Sequence, residues 1–198
     1  MGRRGEHTRE EYRAMAMNAA KDIVRTEGFR GLTARKIAAA IGYTVGSLYL
    51  VFKNLDDLIV QVNEETLGEI HTAVSSAIQN NQNAEAVYAC ANAYLDYGHA
   101  NPHLWRMVFE HKLPAEQPLH ESFKQKIADT FALCARVLEP VVGSNKSNSP
   151  ALAAHALWAG IHGICMLSVT GKLESANVEN ARALTDNLIR NFLIGVTA

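Results

Sequence analysis

Apolar residues recur at helical spacing along almost the whole chain, and no alternating, strand-like stretch runs longer than a few residues. That periodicity leaves one fold class, all-α. Boundary chemistry cuts the pattern into about nine helices. Thr8 opens T-R-E-E, a capping box in which Glu11 reaches back to the threonine amide. The first helix then runs from about residue 9 to 27, carries Ala16, Ala20, Ile23 and Val24 inward, and stops at Gly28. Thr33 caps a short helix over 34–41 that Gly42 ends, and Thr44 caps a third over 45–52. Asn54, with Asp57 three residues on, caps a fourth that reaches about residue 79. After the polar run 80–83 come helices at about 84–99 and from Pro102 to near Lys112, with Asn101 as cap. Further helices follow at about 119–138, from Pro150 to Val169 and at about 178–195, with a loop at 143–149.

The 198 residues suffice for one or two buried cores, and 48% hydrophobic with 20% charged residues is ordinary globular usage. No apolar stretch approaches a bilayer span, and the basic start MGRRGEHTREEY has no apolar run behind it, so neither a membrane segment nor a secretory signal is expected. Cys90, Cys134 and Cys165 sit far apart among apolar neighbours and read as reduced core thiols of a cytoplasmic protein. The net charge of −1 conceals an asymmetry: residues 1–58 hold ten Lys/Arg against seven Asp/Glu, the remainder nine against thirteen. A basic head on an acidic body suits a polyanionic partner.

Within that head, LTARKIAAAIGYTVGSLYLVFKNLDDL places two short helices around a tight turn at Gly42-Tyr43. Ile37, Ala38 and Ile41 face inward from one, Leu48 and Phe52 from the other, and Ala38 is small where the helices cross. This is helix-turn-helix spacing. The third helix exposes Thr44, Val45, Gly46, Ser47, Tyr49 and Leu50, and its small N-terminal residues let the backbone approach base edges and phosphate.

The run from Leu32 through Ala38, Gly42, Gly46, Leu48, Tyr49, Phe52, Lys53, Asn54 and Leu58 resembles the TetR family of bacterial transcriptional regulators over about fifty residues. Tyr43, the pair Leu50-Val51 and Leu55 depart from the family pattern. The resemblance implies a DNA-binding head at 8–56 and a ligand-binding and dimerisation body at 57–198. It implies that Thr44, Ser47 and Tyr49 contact phosphates or base edges, with Val45 and Gly46 beside them; at the departing position 50, Leu50 could instead touch a thymine methyl. Lys53 would pair with phosphate, Thr33 and Arg35 would hold the DNA backbone, and Arg9 or Arg13 could reach a neighbouring phosphate.

A second likeness lies at Trp158, His162 and Gly163, whose W-x-x-x-H-G pattern resembles the Trp-His-Gly class of TetR C-terminal domains. It implies that the last two helices pair across a two-fold axis, and their small and apolar residues suit such a seam: Ala153, Ala156 and Gly160, then Leu184, Leu188 and Phe192. The implied small-molecule effector would be apolar or aromatic. Its candidate walls are Tyr94, Tyr97, Trp105 and Phe109, with Trp158, His162 and Met166 facing them.

The function implied is a homodimeric repressor on a palindromic double-stranded operator, released by the effector. The alternative is a DNA-binding regulator without a small ligand, controlled by a protein partner. An enzyme stands further off, because no G-x-S-x-G, P-loop, G-x-G-x-x-G or H-E-x-x-H occurs. Asn101-Pro102 separates His99 from His103, and no cysteine pair has zinc spacing, so no metal or other cofactor is expected.

Overall fold

A computed structural model describes residues 7–114, 116, 118–142, 149–175 and 180–197. The anticipated loop at 143–148, the start of the last helix at 178–179, and Arg3 and Arg4 lie outside the described residues. The rest is helical, with no strand among the described residues: α1 Arg9–Glu27, α2 Ala34–Ala40, α3 Val45–Leu48, α4 Leu55–Ile78, α5 Asn83–Ala100, α6 Pro102–Glu110, α7 Glu121–Leu138, α8 Pro150–Val169, α9 Lys172–Ser175 and α10 Ala181–Thr197. A single 3-10 turn, Phe29–Gly31, joins α1 to α2.

The caps act as their chemistry dictates. The Glu11 amide donates to Thr8 Oγ1 (3.2 Å) and the Thr8 amide to Glu11 Oε2 (2.7 Å), closing the capping box. Thr33, Thr44 and Asn54 accept from the amides of Lys36, Ser47 and Asp57. Gly28 and Gly42 adopt φ of +72° and +73°, a region that side chains with a Cβ rarely enter.

Three features depart from expectation. The third helix ends at Leu48, not at 52: the Leu50 and Val51 amides bond three residues back, to Ser47 and Leu48, in a tighter turn. The one-turn helix α9 was not foreseen. Helix α8 is 20 residues long with a window of mean hydropathy 1.5, so by length and composition it could cross a membrane, contrary to the sequence expectation. Its apolar run is continuous once Gly, Ala and single polar residues are averaged in.

By packing, the chain forms two compact units. The first takes residues up to Leu67 together with His103–Phe123, and the whole segment 8–56 lies inside it. Its core joins Ala16, Ala20 and Val24 of α1, Ile37 and Ala38 of α2, Leu48 and Phe52 around α3, Leu58 and Val62 of α4, and Leu104 and Met107 of α6. Each large apolar side chain so buried contributes about 1.5–3 kcal/mol. Lys21 is nearly buried and pairs with Glu65 at 2.7 Å.

The second unit comprises Gly68–Pro102 and the chain from Lys124 onward. Here α8 packs on α5 and α10. A Cβ built on Gly160 would stand 2.7 Å from Leu188 Cδ2, so this glycine lets α8 and α10 meet closely. Asn101, expected to cap α6, turns its side-chain amide back to the Tyr97 carbonyl (3.4 Å) at the end of α5.

Candidate nucleic-acid interface

The reading surface is built on a rigid turn. The Tyr43 amide donates to the Ala38 carbonyl (2.9 Å), and the Tyr43 ring lies edge-on to Tyr12 with centroids 4.7 Å apart. The family departure at Tyr43 is therefore packing: the ring fills the angle between α1 and the α2–α3 turn. Thr44 and Ser47 bond each other through their hydroxyls at 2.9 Å, each with capacity left for an outside partner. Gly46 is exposed, its φ is ordinary, and an added Cβ would meet only Thr44 Oγ1, at 3.8 Å. Neither the backbone nor the packing of this chain requires a glycine there, which leaves the open space in front of it available to a partner.

Past α3 the chain is clamped from α1. Arg9 Nη2 donates to the Leu50 carbonyl (3.2 Å) and Arg13 Nη2 to the Val51 carbonyl (2.9 Å). Arg13 also bonds Gln61 and lies 5.2 Å over the Phe52 ring. The Arg13 guanidinium is thus bonded within the protein through both Nη atoms and that of Arg9 through one, and both line the groove described below. The two guanidinium groups satisfy carbonyls just past α3 that have no helical amide to accept from.

Val51 and Phe52 are buried, whereas Tyr49 is 47% and Leu50 75% exposed. The Lys53 side chain is exposed while its amide donates to Asp57 Oδ2 (2.8 Å). Asp57, itself buried, also accepts from Gln61 Nε2 (3.1 Å) and contacts His120 Nε2 (3.3 Å). One carboxylate thus holds the main chain at Lys53, ties it to the second turn of α4 and meets the segment before α7. His111 bonds Asp56 at 2.8 Å beside it. A groove of about 520 Å³ opens here, lined by Arg9, Arg13, Tyr49, Leu50 and Lys53 on one side and by Glu64, His120 and Ser122 on the other.

Two family models match this sequence: "Bacterial regulatory proteins, tetR family" over residues 16–62, and "Tetracyclin repressor-like, C-terminal domain" over residues 87–192. The chain belongs to the TetR family. It is a transcriptional regulator with a DNA-binding helix-turn-helix head and a helical C-terminal domain, not an enzyme.

Among solved structures, a protein from Rhodococcus sp. RHA1 is similar at a TM-score of 0.80 and 16% identity over 100% of both chains. SCO4454, a TetR-family transcriptional regulator from Streptomyces coelicolor, gives 0.67 and 21%, covering 96% of this chain and 97% of that one. The transcriptional regulator FadR from Bacillus subtilis, solved in complex with stearoyl-CoA, gives 0.68 and 17%, covering 92% and 98%. At these identities the likeness is one of fold. A search of curated proteins returned no match.

In this TetR-family regulator the remaining DNA-facing candidates fall on the same head. Thr33 caps α2, Arg35 is exposed on it, and Val45 is partly buried against the core, so Val45 serves packing as much as contact. The effector candidates divide. Tyr94, Trp158 and His162 cluster in the second unit: Tyr94 OH meets His162 Nδ1 at 2.8 Å, and Trp158 stacks on His162 with centroids 5.1 Å apart. Burial holds His162 below its ordinary pKa, so the ring is neutral near pH 7. Phe131 extends the cluster, edge-on to Trp158 and stacked on His155; sequence reading missed both. Tyr97 donates instead to Glu69 (2.7 Å), and Met166 is half-buried. Trp105 and Phe109 pack on each other at 5.1 Å on α6, which belongs to the first unit.

The dimer candidates divide as well. Ala153 is buried within the chain, Gly160 and Leu188 pack together, and Leu184 and Phe192 are half-buried. Ala156 is exposed, and with Leu152, Ala159 and Leu167 it forms a solvent-facing stripe along α8 that passes over Gly163, where an added Cβ would touch nothing within 4 Å. On α10, Ile194 is 63% exposed.

Proposed function

We propose that this protein is a ligand-responsive repressor that binds a palindromic operator as a homodimer in the cytoplasm and leaves it when an apolar or aromatic effector binds. Residues 8–56 read the DNA, and 57–198 bind the effector and form the dimer. The observation that carries the reading is the clamped, outward surface of the head. Thr44, Ser47, Tyr49, Leu50 and Lys53 stand exposed or part-exposed around an open Gly46, while Arg9, Arg13 and Asp57 fix the main chain behind them. Preorganised groups of this kind lose little entropy on docking.

The exposed α8 stripe supports the homodimer. A row of Leu and Ala on a 20-residue helix is poor solvent surface and good two-fold packing surface, since small residues permit close approach of a second helix. The Tyr94–His162–Trp158 cluster, with the stearoyl-CoA held by the B. subtilis FadR of similar fold, supports an effector with a large apolar part. Such an effector releases DNA only through its preference for the non-binding state; tenfold release needs ~1.4 kcal/mol of that preference.

Selection of DNA from a random pool with the full-length protein at physiological salt tests the proposal. A two-fold symmetric motif, with half-sites about one helical turn (~34 Å) apart or a multiple of it, is expected. That duplex then reports release, with long-chain acyl-CoA as the first compound added. Weak binding without a motif, vanishing as salt rises, would refute sequence-specific repression.

A further inference from the structure

We propose that Leu50 is a specificity-determining residue that reads the C5-methyl group of a thymine in each half-site. The inference rests on the operator reading above and deepens it. Leu50 has the highest fractional exposure, 75%, among the large apolar side chains of the described residues. A single exposed leucine is ordinary on a protein surface. This one is held in place from both sides. Its own carbonyl is taken by Arg9 and the next by Arg13, while Val51 and Phe52 are sunk in the core beneath it. The main chain cannot fold the side chain back without breaking those bonds.

Leu50 is also continuous with the DNA-binding surface. It lies between Ser47 and Lys53, directly beside the part-exposed Tyr49. A leucine side chain can neither donate nor accept a hydrogen bond, so it gains nothing from phosphate oxygens or from the polar edges of bases. In the major groove the apolar group on offer is the thymine methyl. A fixed apolar knob at the edge of a groove reader therefore selects thymine over the other three bases at the position it covers.

The test uses the full-length protein and the operator obtained by selection. Synthetic duplexes replace each thymine in turn, in both half-sites, by deoxyuridine, which deletes the methyl and keeps the base-pair edges. One thymine position per half-site should weaken binding about fourfold, the equivalent of ~0.8 kcal/mol for one buried methyl, and substitution in both half-sites about fifteenfold. Leu50→Ala should lose the same amount on the thymine operator and become indifferent to uracil at that position. Its helicity and thermal unfolding should match those of the unaltered protein, which reports an intact head.

Uracil tolerated at every position would overturn the inference while leaving the operator standing. So would a Leu50→Ala protein that loses equally on both duplexes, because Leu50 would then touch sugar or neighbouring protein. A pool without any motif overturns the operator reading and this one together.

Discussion

Gly46→Ala separates what the fold needs from what the DNA contact needs. The added methyl would find only Thr44 Oγ1, at 3.8 Å, and the backbone there is not in the left-handed region, so folding meets no clash. Replacing glycine by alanine in a helix gains up to about 1 kcal/mol, and the gain is smaller here because α3 is a single turn. For a chain of this length such a gain raises Tm by at most about 2–4 °C. On DNA the same methyl occupies the space through which the backbone approaches the groove. Forcing a methyl into a fitted contact costs about 1–3 kcal/mol. Two half-sites double the cost, so operator affinity falls about thirtyfold or more. Thermal unfolding and fluorescence-anisotropy titration of the selected operator, both on the full-length protein, give the two numbers. A fall in Tm would show that the fold does use this glycine. An unchanged or raised Tm with unchanged operator affinity would show that no close approach occurs at Gly46.

Three other outcomes follow from the geometry. Asp57→Ala strips the acceptor from the Lys53 amide, Gln61 and His120, and should lower stability to urea unfolding by about 2–4 kcal/mol; a loss below about 1 kcal/mol would contradict that role. His162 has its pKa lowered by burial, so the unfolded chain binds a proton that the folded chain resists. Its contribution to stability is complete above pH 6.5 and is lost as pH falls below that value; His162→Gln should flatten the acid limb of the stability curve, and an identical limb would assign it to other groups. Leu167→Glu puts a charge on the exposed α8 stripe and should turn a dimer into a monomer in sedimentation while helicity stays constant; a persistent dimer would place the seam elsewhere.

Local chemistry was readable and long-range chemistry was not. Thr8, Thr33, Thr44 and Asn54 announce helix starts because a cap is satisfied within three residues, and Gly28 and Gly42 announce stops because their φ is positive. The Arg9 and Arg13 clamp joins residues 41 and 38 positions apart. No periodicity reports such a contact. The trace left in sequence was the i, i+4 spacing of two arginines around the buried Tyr12, which reads equally as surface charge.

On α8 the failure has another cause. The helix is apolar almost all round, so pattern alone cannot say whether Ala153 or Leu152 faces out; the structure buries the first and exposes the second. Trp105 and Phe109 were grouped with Tyr94 because they are aromatic and near in sequence. Packing assigns Trp105 and Phe109, on α6 after Asn101-Pro102, to the first unit and Tyr94 to the second.

Leu104 and Met107 lie fully buried in the same core as Tyr12, Ile37 and Phe52, and Asn63 donates to the Met107 carbonyl at 3.4 Å. The reading head is thus completed by a segment that arrives only after α5 has been made. A chimera that exchanges residues 1–67 alone would set a foreign head against this chain's α6 and leave a mismatched interior. Recombination between relatives, natural or engineered, has to carry 103–123 along with the head or repair the fit afterwards. A change of side-chain volume in either segment is felt by the other: the DNA-binding head owes part of its interior to a helix encoded in the middle of the chain.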